Sequence, residues 1–383
     1  MQGFKNALVY VEDKGIVKTN VGIEDGVIKY IGEDDSKITC PFPCGENQIV
    51  VPGFIDEHIH GAGGADAMDG TSEAFSTIAN CLAKEGTTAF LATTMTQSPQ
   101  NLMRAMNVIK EYISKNGKDG AQILGIHLEG PFISLKHIGA QPKDFVAKHD
   151  IKVFDEYFNA SGKNIKIVSL SPETEGAEEF IKHLKSLGVV VSAGHTDAGY
   201  EEIKKAIGWG LSNITHTYNA QKGLHHREVG TVGSAMLFDS LNCEAICDTI
   251  HLCVPAIKLL IKNKPHDKFT LITDSMRAKH LSDGISDLGG QTVIVKNGEA
   301  RLEDGTLAGS TLKMNDAIKN LVLKCDVAFA DAIDYATINP AKNLGVSDKM
   351  GSIAVGKLAN FAVLDGEFNV KLTVREGNII FQN

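Results

Sequence analysis

Eight apolar, β-branched runs recur through the middle of this 383-residue chain, and most are followed by a segment with helical spacing. They read IVVPGFIDEHIH (49–60), TTAFLATT (87–94), AQILGIHLEG (121–130), IKIVSLSPE (165–173), VVVSAGHT (189–196), NITHTYNA (213–220), CEAICDTIH (243–251) and FTLITDS (269–275). Between them lie helical segments closed by glycine, such as TSEAFSTIANCLAKEG, GAEEFIKHLKSLG and AGYEEIKKAIGWG. From His60 to Asp274 the seven intervals average about 31 residues, the size of a βα unit. Eight such units predict an α/β fold of the (β/α)8 TIM-barrel type. A doubly wound open sheet would need a G-x-G-x-x-G turn after a strand, and no strand here carries one.

The two chain ends have a different texture. Residues 5–32 and 351–383 alternate short strands with Asp-Lys-Gly, Glu-Asp-Gly and Glu-Gly-Asn turns, which predicts hairpins. Their likeness predicts that both ends pair into one small β-sandwich, residues 1–52 plus 345–383, with a catalytic barrel at 53–344 inserted between them.

Strands of a parallel barrel are buried on both faces, so polar side chains within them require a reason. Here they gather at the C-terminal ends: His58 and His60 on the first strand, His127 and Glu129 on the third, then His195, His216, His251 and Asp274. That end of a barrel is where its loops build an active site. Residues two apart on a strand share a face, so His58 and His60 present both imidazoles in one direction. Imidazoles with carboxylates and no cysteine suit an open, catalytic Zn²⁺ or Fe²⁺ site. Glu129, His195 and His216 would hold one divalent cation, and His58 and His60 with a bridging Glu129 a second. Asp274 is placed to move a proton between water and a leaving group.

The formal net charge of −9 and pI near 5.8 argue against nucleic acid and anionic membranes as partners. The opening stretch MQGFKNALVYVEDKG has no apolar core of the kind a secretory leader carries, so a cytoplasmic protein is expected. Seven cysteines without a C-x-x-C pair suggest no disulfide framework, and Cys243 and Cys247 read as core residues. His137, His149, His183, His266 and His280 sit in polar contexts and read as solvated surface. KHLSDGISDLGG (279–290) reads as a glycine-rich loop placed to flap over the site.

The His58-Ile59-His60 string, Glu129, the histidines of the fifth and sixth strands and Asp274 resemble the pattern of the amidohydrolase superfamily. Within it, GIHLEGPFIS (125–134), SAGHTDA (192–198), THTYNA (215–220), HHREVG (225–230), LITDSMRAKHL (271–281) and DGTLAGSTLKMN (304–315) are similar in order and spacing to the N-acetylglucosamine-6-phosphate deacetylase family. The resemblance implies hydrolysis of the acetamide of a phosphorylated amino sugar by an enzyme with one or two metals per chain. It implies that Glu129, His195, His216, His58 and His60 are metal ligands and Asp274 the catalytic acid and base. His251 would contact the sugar. Arg227, with the backbone at Asn219 and Ala220, would grip the phosphate, in some members across a homodimer interface.

Two departures from that pattern stand out. Gln141 occupies a position where many members carry a histidine that polarises the substrate, and a glutamine can donate there but carries no charge. Thr217 and Gln221 replace commoner apolar residues, which predicts a more polar cavity wall. Rival readings are deacetylation of the galactosamine epimer, a dihydroorotase- or urease-like enzyme, and a scaffold that has lost its chemistry. The second would need a lysine ending the fourth strand, whereas Lys166 begins it.

Overall fold

The computed structural model describes residues 1–115 and 117–383. Eight parallel strands form the barrel: β1 (Phe54–Ile59), β2 (Thr87–Thr94), β3 (Gln122–Glu129), β4 (Ile165–Leu170), β5 (Val190–Ala193), β6 (Leu211–Ile214), β7 (Asn242–Ile246) and β8 (Phe269–Ile272). Consecutive strands are neighbours throughout. The ring closes just beyond β8. Asp274 N–H donates to the His58 carbonyl at 2.9 Å, and the N–H groups of His60 and Gly61 both reach the Ser275 carbonyl. β2 is buried at all eight positions, which is why TTAFLATT shows no alternation.

Each strand is followed by a helix that covers it: α1 (Ser72–Ala83), α2 (Pro99–Lys115), α3 (Ile151–Ala160), α4 (Ala177–Ser186), α5 (Tyr200–Trp209), α6 (Gly230–Leu237), α7 (Val254–Lys262) and α8 (Met314–Cys325). The sequence supplies both their starts and their buried faces. Thr71 caps α1 by accepting from Ala74 N–H, and Asp150 caps α3 by accepting from Lys152 and Val153 N–H. In α1, Ala74, Phe75, Ile78, Ala79 and Leu82 form the apolar stripe that packs on the barrel.

The small β unit expected from the chain ends is one eight-stranded sheet. Its order is Asn378–Gln382, Val370–Arg375, Phe361–Leu364, Ile49–Pro52, Gln2–Val11, Gly15–Glu24, Val27–Gly32, with Cys40–Pro41 pairing beside Gln2–Val11. Phe4, Val21, Phe361, Val363 and Val374 belong to its own apolar cluster. The chain leaves this sheet for β1 through Gly53, where a Cβ would lie 2.3 Å from the Thr88 side chain; only glycine allows that approach.

The stretch expected as a glycine-rich flap is ordered instead. Gly284–Leu288, Gln291–Lys296 and Glu299–Leu302 form a three-stranded antiparallel sheet with an apolar centre that includes Leu288, Val293 and Met95. Gln97 donates to the Gly289 carbonyl at 2.9 Å and Gln291 to the Ala140 carbonyl at 2.6 Å, fastening this sheet to the loops after β2 and β3. Among the described residues, no helix is long and apolar enough to cross a membrane. Cys243 and Cys247 are buried core residues.

Candidate metal centre at the barrel mouth

The barrel delivers its polar side chains to one end by a repeated local device. His195, His216 and Asp274 each stand two residues past the end of β5, β6 and β8, and each has a positive φ of 50°, 29° and 47°. Such values are uncommon for non-glycine residues and concentrate where surrounding structure enforces them at functional sites. Glu129 ends β3, His58 lies in β1 and His60 follows it.

These side chains meet around Glu129. Its Oε1 lies 3.0 Å from His216 Nε2, 3.2 Å from His195 Nε2 and 3.5 Å from His58 Nε2. Its Oε2 lies 3.2 Å from His60 Nε2. Asp274 Oδ1 completes the ring, 3.2 Å from His60 Nε2 and 3.4 Å from His58 Nε2. Among the described residues, three groups of three have ligand spacing: Glu129 with His195 and His216, His58 with His60 and Asp274, and, beneath these, His58 with His127 and Glu244.

The proton inventory fits cations between these atoms. His195 Nδ1 faces the His137 carbonyl at 3.1 Å, so it carries the ring proton and leaves Nε2 bare. That bare nitrogen points at a carboxylate oxygen and lies 3.2 Å from His216 Nε2. Contacts so close are satisfied by a proton on His216 Nε2 or by a cation between the three atoms. His58 Nε2 and the Nδ1 atoms of His60 and His216 are buried and have no hydrogen-bond partner. The carboxylates make the whole cage attractive to positive charge. Burial opposes it, yet Asp274, Glu129 and Glu244 hold the His58 imidazole well above its ordinary value. Hydrogen bonds to Asp274 and Glu129 push His60 up to about 10 against the same burial. Conversely, although burial raises them, the imidazoles keep Glu129 well below the usual carboxylate range and Asp274 at about 2.

Below the cage lies a layer of polar support. Glu244 on β7 accepts from His58 Nδ1–H at 2.9 Å and from His216 N–H at 3.1 Å. Despite burial, His58 keeps its carboxyl below the ordinary value. His127 packs against the His58 ring, with Nδ1 on the Glu57 carbonyl and Nε2 on Ser169 Oγ. It is therefore a packing and hydrogen-bonding residue beneath the site. Gln141 is fixed at both ends: its Oε1 accepts from Thr96 N–H and its Nε2 donates to Glu129 Oε2, both at 2.7 Å.

A cleft of about 200 Å³ opens above the cage. His60, Glu129, His195, His216 and Asp274 line it, as do the expected substrate contacts Gln141, Asn219, Ala220 and His251. Leu288, from the stretch read as placed over the site, and Thr306, Leu307 and Gly309, from the motif at 304–315, add a wall, and Met95 joins it without a signal in the sequence. His251 is oriented by Asp248, whose Oδ2 accepts from its Nδ1–H at 2.6 Å. Arg227 is not brought to this cleft. It is exposed, beside His226, in a separate surface groove with Tyr200, Glu228 and Leu237.

Two further expectations are corrected. Thr217 and Gln221 are buried behind the cleft rather than lining it, so its wall gains no polarity from them. Gln221 instead donates to the Thr215 carbonyl. Of the five histidines read as solvated, only His266 is exposed. His280 binds the buried Glu85 at 2.8 Å, and His149 is half-buried against Phe132 and Phe180. Glu244, Glu57, Asp56 and the buried Lys279–Glu85 pair (2.8 Å) were missed. For Glu244 the signal was present: it is the one charged residue in the apolar run CEAIC.

Comparison with known proteins agrees with this geometry. Residues 49–380 match the model of the Amidohydrolase family. An N-acetylglucosamine-6-phosphate deacetylase of Bacillus subtilis (strain 168) is 40% identical over 381 residues, covering 98% of this chain and 96% of the relative. An N-acetylgalactosamine-6-phosphate deacetylase of Escherichia coli O157:H7 is 34% identical over 357 residues, 93% of each chain. The crystal structure of N-acetylglucosamine-6-phosphate deacetylase from Thermotoga maritima superposes with a TM-score of 0.90 at 35% identity over the whole of both chains. The chain belongs to the Amidohydrolase family.

Proposed function

We propose that this enzyme hydrolyses the acetamide of N-acetyl-D-glucosamine 6-phosphate, releasing acetate and D-glucosamine 6-phosphate in amino-sugar catabolism. The observation that carries this reading is Asp274, a carboxylate that lines the cleft and stands with His58 and His60 in one of the cation-binding groups that converge there. Full-length similarity to deacetylases of this kind supports the choice of amide.

Glu129, His195 and His216 would hold one divalent cation, and His58 and His60 with Glu129 a second, with Zn²⁺ or Fe²⁺ suited to this donor set. When bound, such cations supply Lewis acidity that polarises the acetamide carbonyl and eases ionisation of water. Asp274 takes a proton from the water that adds to the carbonyl carbon. As the C–N bond breaks, Asp274 returns that proton to the nitrogen, so the sugar amine leaves neutral and acetic acid remains, which releases its proton to solvent as acetate. Gln141, with one N–H committed to Glu129, keeps the other for the acetamide oxygen. His251, its Nδ1–H held by Asp248, offers Nε2 to a sugar hydroxyl.

Asn219 and Ala220 lie where backbone groups can meet the phosphate. Arg227 stands outside its own cleft, so its phosphate contact is made in the cleft of a second copy in a cytoplasmic homodimer. Residues 53–344 carry the chemistry in this reading, and 1–52 with 345–383 brace them. A scaffold that had lost its chemistry would not retain all five ligands and Asp274.

The test is acetate release from N-acetylglucosamine 6-phosphate, its galactosamine epimer and unphosphorylated N-acetylglucosamine, with protein whose bound metals are counted. Release from the first alone is the expected result. Faster release from the epimer would reassign the substrate, and no release by metal-loaded protein would refute the activity.

A further inference from the structure

Four imidazoles point Nε2 into the cage, and only two have their outer nitrogen anchored. His195 Nδ1 is held by the His137 carbonyl, and His58 Nδ1 by Glu244. The outer nitrogens of His60 and His216 have no hydrogen-bond partner among the described residues. Each of the two groups at the cleft, Glu129 with His195 and His216 and His58 with His60 and Asp274, therefore contains one anchored histidine. The Glu244 anchor is fully buried, and the same Oε2 that meets His58 also accepts the His216 backbone N–H, joining β1 to the chain beyond β6. His127, the ring packed on His58, spends both nitrogens on Glu57 and Ser169. Among the described residues, Glu244 is thus the acceptor available to His58 Nδ1.

We propose that Glu244 is a positioning residue that selects the Nδ1–H tautomer of His58 and so creates the second cation group. The inference rests on the two-group reading of the site. In the opposite tautomer, bare Nδ1 would face a carboxylate oxygen at 2.9 Å, acceptor against acceptor, while Nε2 would carry a proton where a ligand lone pair is needed. A carboxylate behind a ligating histidine fixes the ring and raises its basicity, and its loss lowers metal affinity about 10- to 100-fold.

The test is stepwise zinc titration of the metal-free protein, with metal content and thermal unfolding measured in parallel. In Glu244→Met the second Zn²⁺ should bind about 10- to 100-fold more weakly, while the first, at Glu129, His195 and His216, should weaken much less, since there only the His216 backbone N–H loses its acceptor and no ligand ring does. Glu244→Gln, which retains an acceptor for His58 Nδ1–H, should recover most of the second affinity. A uniform structural defect would weaken both ions alike and overturn the assignment. So would a Glu244→Met protein that takes two zinc ions as tightly as the wild type, and that result would leave the two-group reading intact. A wild-type chain that never takes more than one ion would refute both. Should Glu244→Met fail to fold, nitrogen NMR of ¹⁵N-histidine-labelled, zinc-loaded wild type decides. His58, assigned with His58→Asn, must carry its proton on Nδ1, and a proton on Nε2 overturns the inference.

Discussion

Replacing Asp274 by asparagine removes one proton acceptor and leaves the geometry that holds it. The backbone is secured on both sides: Asp274 N–H donates to the His58 carbonyl at 2.9 Å, and its own carbonyl accepts from Ser310 N–H at 2.8 Å. The φ of 47° is one that asparagine adopts as readily as aspartate. The fold and the Glu129, His195 and His216 group should therefore survive. Positioned acid–base catalysis contributes about 10²- to 10⁴-fold, and one carboxylate here serves two successive transfers. The expected loss in kcat is about 10³-fold or more, or about 4 kcal/mol of barrier, with KM little changed. The assay is acetate release at saturating substrate, with metal content and thermal unfolding of both proteins measured alongside. A variant within tenfold of wild type, metal intact, would refute the assignment of Asp274. So would a variant that has lost its fold, since the argument requires that only proton transfer be removed.

Three other outcomes can be checked directly. Arg227→Ala should raise KM for the 6-phosphate about 10- to 100-fold, the worth of a charge-assisted contact, and leave KM for the unphosphorylated sugar and the metal content unchanged. Steady-state kinetics on both sugars would show it. Lys279→Met leaves Glu85 buried without its ammonium partner and should destabilise the fold by about 3–5 kcal/mol in urea unfolding; adding Glu85→Gln should recover part of that. Burial pushes the His149 imidazole down from 6.5 to about 4, so its neutral form is favoured in the folded state. Its contribution is complete above pH 6.5 and is lost as pH falls from 6.5 through 4, about 2 kcal/mol of it between pH 7.5 and 5. His149→Gln should flatten that part of the acid-side loss, and a urea midpoint that falls equally in both proteins would contradict it.

Periodicity by itself determined the barrel, because a parallel strand buried on both faces must be apolar along its length, and the 31-residue recurrence leaves room for one covering helix. The same burial made His58, His60, Glu129, His195, His216 and Asp274 conspicuous at the strand ends. Their convergence on one cleft follows from the topology of the fold. What lay between such elements was not legible. The glycine-rich stretch 279–290 read as a loop because its strand, Gly284–Leu288, is stabilised only once it pairs with Gln291–Lys296 and packs on Met95. His149 read as solvated because the Phe132 and Phe180 rings that cover it arrive from other elements. Arg227 matched a local motif, yet its distance from the cleft of its own chain is a property of where the loop after β6 lies. Glu244 stands 186 residues from the histidine it orients. A charge buried in an apolar strand announces that it has a partner, but which partner depends on which strands the closed barrel turns toward one another across its interior, here β7 and β1 with β8 between them, and that only the tertiary structure decided.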